Sequence, residues 1–176
     1  MSEKTTRKKN RLDGYDYSQE GAYFVTVCSK NRTELFGEVV TKESSGFGEN
    51  GVVGATVPGR PRVKLSNIGE IIENAILYYN NNTNHIEIGK YVIMPNHIHA
   101  IILLRESGDR GRSPLQWVVR NLKSYVTKQI GFSPWQRSYH DHIIRSYSDY
   151  MKITEYIKNN PAQWTEDMYY IEQQTM

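Results

Sequence analysis

From Ile68 to Ile130 the apolar residues keep a helical period, drop to a strand period over two consecutive runs, and then return to a helical one. The first stripe is Ile68, Ile71, Ile72, Ala75, Ile76 and Tyr79, which predicts an amphipathic helix stopped by Asn80, Asn81 and Asn82. Ile86–Met94 and His97–Leu104 read as two strands joined by a turn at Pro95 and Asn96. The second stripe is Leu115, Val118, Val119, Leu122, Val126 and Ile130, with Gly131 placed to end the helix. Two one-faced helices flanking a hairpin bury their stripes most simply against a common sheet.

The flanking segments extend this unit. Tyr23–Cys28 is rich in β-branched and aromatic residues and predicts a strand, Tyr139–Arg145 predicts another, and a last helix is expected from Ser148 to Asn159, ended by Pro161. The order strand, helix, strand, strand, helix, strand, helix is an α+β pattern of the ferredoxin-like, split βαβ type: an antiparallel sheet with helices on one face. Residues 43–62 hold five glycines and two prolines without a sustained period, and predict a long loop or a mobile hairpin inserted in the domain. A chain of 176 residues has room for one domain, expected over 15–164, between a flexible arm at 1–14 and an acidic tail at 165–176. The single cysteine, Cys28, excludes an internal disulfide framework and multi-cysteine zinc modules, and no apolar run approaches the roughly 20 residues of a membrane span. A reducing, cytoplasmic setting and no membrane partner are expected.

The net charge of +3 is unevenly spread. Residues 1–11 carry five cations, Arg7, Lys8 and Lys9 among them, against Glu3. Residues 105–128 carry six, including Arg112, Arg120 and Lys123, against two acids, and the last twelve residues are acidic. Two basic stretches suit a phosphate backbone, with Trp117 and Tyr125 as stacking groups. A solvated helix face with two packed aromatics gives the same pattern.

Chemistry concentrates in Met94-Pro95-Asn96-His97-Ile98-His99. Alternation along a strand puts His97 and His99 on one face, about 6–7 Å apart along the backbone, where both can reach one divalent ion. Two half-buried histidines on a sheet would look identical, and His140 with His142 repeats the spacing. A third ligand would be a carboxylate, a carboxamide or another histidine. On the last helix Tyr156 and Asn160 share a face, with Lys152 one turn earlier. Packing for Tyr156 and capping for Asn160 are the plainer roles.

Met-Pro-Asn-His-Ile-His at 94–99, Trp135-Gln136 with Tyr139-His140-Asp141-His142-Ile143-Ile144-Arg145, and Glu155-Tyr156-Ile157-Lys158-Asn159-Asn160-Pro161 with Trp164 together resemble the REP-associated branch of the single-tyrosine HUH transposases. The resemblance runs from about Tyr15 to Trp164 and leaves out the Gly-rich segment. It implies an extra C-terminal helix carrying the nucleophile and a nuclease and strand transferase acting on single-stranded or hairpin DNA. Tyr156 would attack to form a 5′-phosphotyrosine. His97, His99 and Asn160 would hold Mg²⁺ or Mn²⁺, although the third position is glutamine in other branches. DNA contacts would come from Arg7, Lys8, Lys9, Arg112, Arg120, Lys123 and Arg145, with Lys152 and His142 as accessory groups. His140 stands where the family has an aromatic residue. No nucleotide cofactor is expected, and members occur as monomers and homodimers. Two competing functions are a domesticated hairpin binder that does not cut and a metal phosphohydrolase that uses water.

Overall fold

The computed structural model describes residues 15–17, 19–41, 60–105 and 113–171. The basic arm, Arg112 and most of the Gly-rich segment lie outside them. Four strands form one antiparallel sheet: β1 (Gly21–Cys28), β4 (Ile86–Ile93), β5 (His97–Leu104) and β6 (His140–Ile144), in spatial order β4-β5-β1-β6. Between β1 and β4 run β2 (Gly37–Val40), β3 (Arg62–Leu65) and helix α1 (Asn67–Asn82); α2 (Pro114–Ile130) joins β5 to β6, and α3 (Tyr147–Asn159) follows. The antiparallel β5 separates β1 from β4, which is the split βαβ arrangement. The expected α+β class, antiparallel sheet and C-terminal helix are all present.

The period switch explains the layering. Val25 and Val27 of β1, Ile98, Ala100 and Ile102 of β5, and Ile88 of β4 meet Ile76 of α1 and Val118, Val119 and Leu122 of α2 in one buried cluster. Each helix begins on a serine cap, Ser66, Ser113 or Ser146, whose hydroxyl accepts from the backbone N–H three residues on. Gly131 ends α2 at φ 82°, in left-handed backbone that favours glycine.

Two features differ from the sequence expectations. β2, which precedes the Gly-rich segment, and β3, which takes in its last residue, form an antiparallel ribbon, Gly37 opposite Leu65, so Arg62 belongs to a strand. The chain also stays helical beyond Pro161. Asn160–Glu166 continues α3 as a 3₁₀ segment with Pro161 in its first turn, where a missing N–H costs nothing. That continuation folds residues 165–171, read from sequence as the start of an acidic tail, back onto the sheet, and Tyr169 is buried there.

Candidate active site

The sheet face opposite α1 and α2 carries Phe24, Thr26 and Cys28 of β1 and His97 and His99 of β5, with Thr26 opposite His99 and Cys28 opposite His97. Both imidazoles are sealed from solvent, His97 at 0% and His99 at 1% exposure, and their ring centroids are 4.3 Å apart. Phe24, Tyr169 and Trp164 box them in at 5.1, 4.7 and 5.9 Å.

Each imidazole is held through Nδ1. Thr26 Oγ1 lies 2.9 Å from His99 Nδ1, and Asn96 Oδ1 lies 2.9 Å from His97 Nδ1. Asn96 Nδ2 donates to the carbonyls of Arg32 and Tyr169, which identifies its other atom as the acceptor. His97 Nδ1 is therefore the protonated nitrogen, and Nε2 carries a lone pair facing inward. That Nε2 is buried without a hydrogen-bond partner, as is Asn160 Oδ1. Burial pushes the pKa of His97 down to about 4, partly opposed by Asp167, and pushes that of His99 well below its ordinary value. Both rings are neutral near pH 7, the form that binds metals.

Helix α3 and its 3₁₀ continuation bring the remaining groups. The Tyr156 hydroxyl lies 3.2 Å from His99 Nε2 and donates to Asp167 Oδ2 at 3.1 Å; Asn160 Nδ2 donates to the same oxygen at 2.7 Å. Burial and the Asp167 carboxylate both push the Tyr156 pKa up. An aromatic edge contact with Phe24 seats the phenol ring. His97, His99 and Asp167 place one ligand atom each within 4.8 Å of one another. Two neutral imidazoles, a carboxylate and the Asn160 carboxamide oxygen fit a small divalent cation, because the carboxylate attracts positive charge and His97 Nε2 and Asn160 Oδ1 each keep a lone pair that no hydrogen bond uses.

The fold thus joins His97, His99, Tyr156 and Asn160. The other expected residues that the structure describes lie elsewhere. His142 Nε2 pairs with Asp149 at 2.9 Å on the exposed side of α3, and Lys152, Arg145 and Arg120 are exposed. Lys123 Nζ donates to the carbonyls of Gln136 and Ser138, and burial lowers its pKa to about 8. Trp117 and Tyr125 pack against Tyr79 and Tyr78. Asp167, Asn96, Thr26 and Tyr169 were missed from sequence. Asn96 is flagged only by its place in the turn directly before the first histidine, and the acid lies in a stretch with no helical period to place it.

No protein-family model matches the chain. It is 30% identical, over an alignment of 192 positions covering 94% of each chain, to an uncharacterised protein of Haemophilus influenzae. A shorter stretch of 77 residues, 43% of this chain and 44% of the other, is 35% identical to a REP-associated tyrosine transposase of Escherichia coli K12. The solved structure of a REP-associated tyrosine transposase bound to a REP hairpin superposes at a TM-score of 0.59, covering 88% of this chain and 74% of that one at 22% identity. That superposition shows a shared fold.

Proposed function

We propose that the chain, which shares its fold and a local stretch of sequence with REP-associated tyrosine transposases, cuts and rejoins single-stranded DNA beside a hairpin, with Tyr156 as nucleophile. The observation that carries this reading is the Tyr156 hydroxyl hydrogen-bonded at the edge of the His97, His99, Asp167 cluster, with two orphaned acceptors beside it. A merely packing tyrosine would have no use for those unpaired lone pairs.

Beside the Asp167 carboxylate, His97 Nε2, His99 Nε2 and Asn160 Oδ1 would hold Mg²⁺ or Mn²⁺, which when bound supplies positive charge to polarise the scissile phosphate. The protein does the rest. Tyr156 must lose a proton to attack, yet burial and Asp167 make it a weaker acid than a free phenol, so the hydroxyl stays protonated until positive charge enters the site. Its one proton has two acceptors within reach, Asp167 Oδ2 and His99 Nε2. Asp167 Oδ2, which already accepts from the Tyr156 hydroxyl, would take the phenolic proton, while Thr26 Oγ1 steadies the His99 ring through Nδ1. The phenolic oxygen then bonds phosphorus while the bond to the 3′ oxygen breaks, and the leaving oxygen takes the proton from Asp167, giving a 5′-phosphotyrosine and a free 3′-OH. Because the linkage keeps the phosphodiester's energy, a 3′-OH can reverse the step and join strands.

Incubation of the protein with a labelled hairpin oligonucleotide and Mn²⁺ should give a protein–DNA adduct that survives denaturation. Tyr156→Phe should give none and still bind the hairpin. Cleavage by the Phe variant without an adduct would identify water as the nucleophile, and binding with no cleavage by wild type would identify a binding protein.

A further inference from the structure

Helix α3 carries Tyr156 yet packs sparingly. Of its 13 residues Ile157 is the one buried, so side-chain burial does little to fix its rotation or its position along its axis, and the contacts at its two ends must do so. At the start, the Ser146 cap and the 2.9 Å pair of Asp149 with His142 join it to β6. At the far end an open cavity of about 390 Å³, walled in part by Arg62, Tyr91 and Lys158, takes the place of close packing.

What holds that end is Arg60. Its guanidinium donates to the Lys158 carbonyl at 3.3 Å and to Asn159 Oδ1 at 2.6 Å, across 98 and 99 positions of chain. The local winding leaves room for such a donor. In a 3₁₀ turn a carbonyl accepts from the N–H three residues on, and for Lys158 that residue is Pro161, which has none. A cation also suits the spot, because the last carbonyls of a helix carry partial negative charge. On its own side Arg60 precedes Pro61, which restricts it to extended backbone, and Arg62 then opens β3, paired with β2. The guanidinium is thus presented from a framework, at the first described residue of the Gly-rich segment, to which the proposed reaction assigns no part.

We infer that Arg60 is a positioning residue for the candidate active site: by holding the joint between α3 and the 3₁₀ segment, it sets where Tyr156 and Asn160 stand against His97, His99 and Asp167. The joint adjoins Asn160, whose Nδ2 reaches Asp167 at 2.7 Å, and lies within one turn of Tyr156, whose hydroxyl is 3.2 Å from His99 Nε2. A slide of α3 by about 1.5 Å, the rise of a single residue, breaks both contacts. The inference rests on reading these residues as a metal-assisted DNA-cleaving centre. Arg60 is exposed and acts only through the helix.

Three measurements on the full chain test it: Mn²⁺ affinity without DNA, read from the EPR signal of free Mn²⁺; hairpin affinity in EDTA; and adduct formation at rising Mn²⁺. Arg60→Ala should weaken Mn²⁺ binding about tenfold, the lower end of the loss on removing a group that supports metal ligands. The Mn²⁺ needed for half-maximal adduct should rise by the same factor, with hairpin affinity in EDTA unchanged. Arg60→Lys keeps a cation at the helix end and should recover most of the loss. Asn159→Ala added to Arg60→Ala should cost nothing further, because the two residues share one contact. A lowered unfolding midpoint with Mn²⁺ affinity at the wild-type value would make Arg60 a stabilising contact only and overturn the inference. Weaker hairpin binding in EDTA with Mn²⁺ affinity kept is the mark of a phosphate contact and would overturn it too. Adduct formation insensitive to Arg60 at every Mn²⁺ concentration removes the positioning role alone. Arg60-dependent Mn²⁺ binding by a wild type that forms no adduct removes the cleavage reading and leaves the positioning role in place.

Discussion

At the scale of single residues, the site is a problem of where protons sit. His97 is buried with Nδ1 donating to Asn96, so protonating Nε2 would bury a charge among aromatic rings. That cost has a stability consequence with a definite sign. The His97 pKa falls from its ordinary 6.5 to about 4 in the folded protein, so between those pH values the unfolded chain binds more protons. Stability is therefore whole above pH 6.5 and is lost as pH falls toward 4, by up to about 3 kcal/mol from this residue. Urea unfolding at pH 7 and pH 4.5 should show the loss, and His97→Gln, which cannot take a proton, should make it smaller, His99 supplying the remainder. A bound divalent cation should protect against acid for the same reason, since it competes with the proton for Nε2.

At the scale of elements, the most tightly specified contact is the start of α1 against the turn before β2. An ideal Cβ on Gly69 would stand 2.1 Å from the Phe36 carbonyl oxygen, a backbone atom that cannot swing aside. Phe36 is itself fully buried against Trp135. Gly69→Ala gains about 1 kcal/mol of helix propensity, but overpacking costs about 1–3 kcal/mol or more. The clash involves two backbones, which puts the cost at the upper end. A net loss of about 2 kcal/mol is expected in chemical denaturation, whereas Ala at an exposed α1 position should be near neutral. The helices α1 and α2 were legible in sequence because their stripes recur over three or more turns. The β2 and β3 ribbon was not, because each strand is four residues long and its register is held by a partner more than twenty residues away. The 3₁₀ segment after Asn160 was missed because Pro161 ends an α-helix by local rule, and only packing of Trp164 and Tyr169 over His97 makes continuation favourable.

At the scale of the whole molecule, one sheet divides the work between its faces. The face toward α1 and α2 is apolar and supplies the core; the other carries the imidazoles and is closed by α3 and the chain after it. Lys123 shows how tertiary context reassigns a charge. On a helix wheel it is a cation available for phosphate, but in the fold its ammonium ties down the carbonyls of Gln136 and Ser138, and the Trp135 indole N–H donates to its backbone. Lys123→Met should cost about 1–3 kcal/mol of stability and leave the salt slope of hairpin binding unchanged. A slope reduced by about 1 would instead mark it as a phosphate contact.

The sequence by itself determined the three helices and the four strands of the main sheet, that His97 and His99 share a face, and that Tyr156 and Asn160 share another. These are consequences of periods of 3.6 and 2, which local backbone geometry imposes wherever the segments end up. Tertiary structure alone decided that the two faces meet, that Asp167 closes the cluster, that Asn96 and Thr26 fix the ring nitrogens, and that Lys123 faces inward. Those contacts join residues up to 73 positions apart, and their energies depend on burial and distance, which no local period encodes.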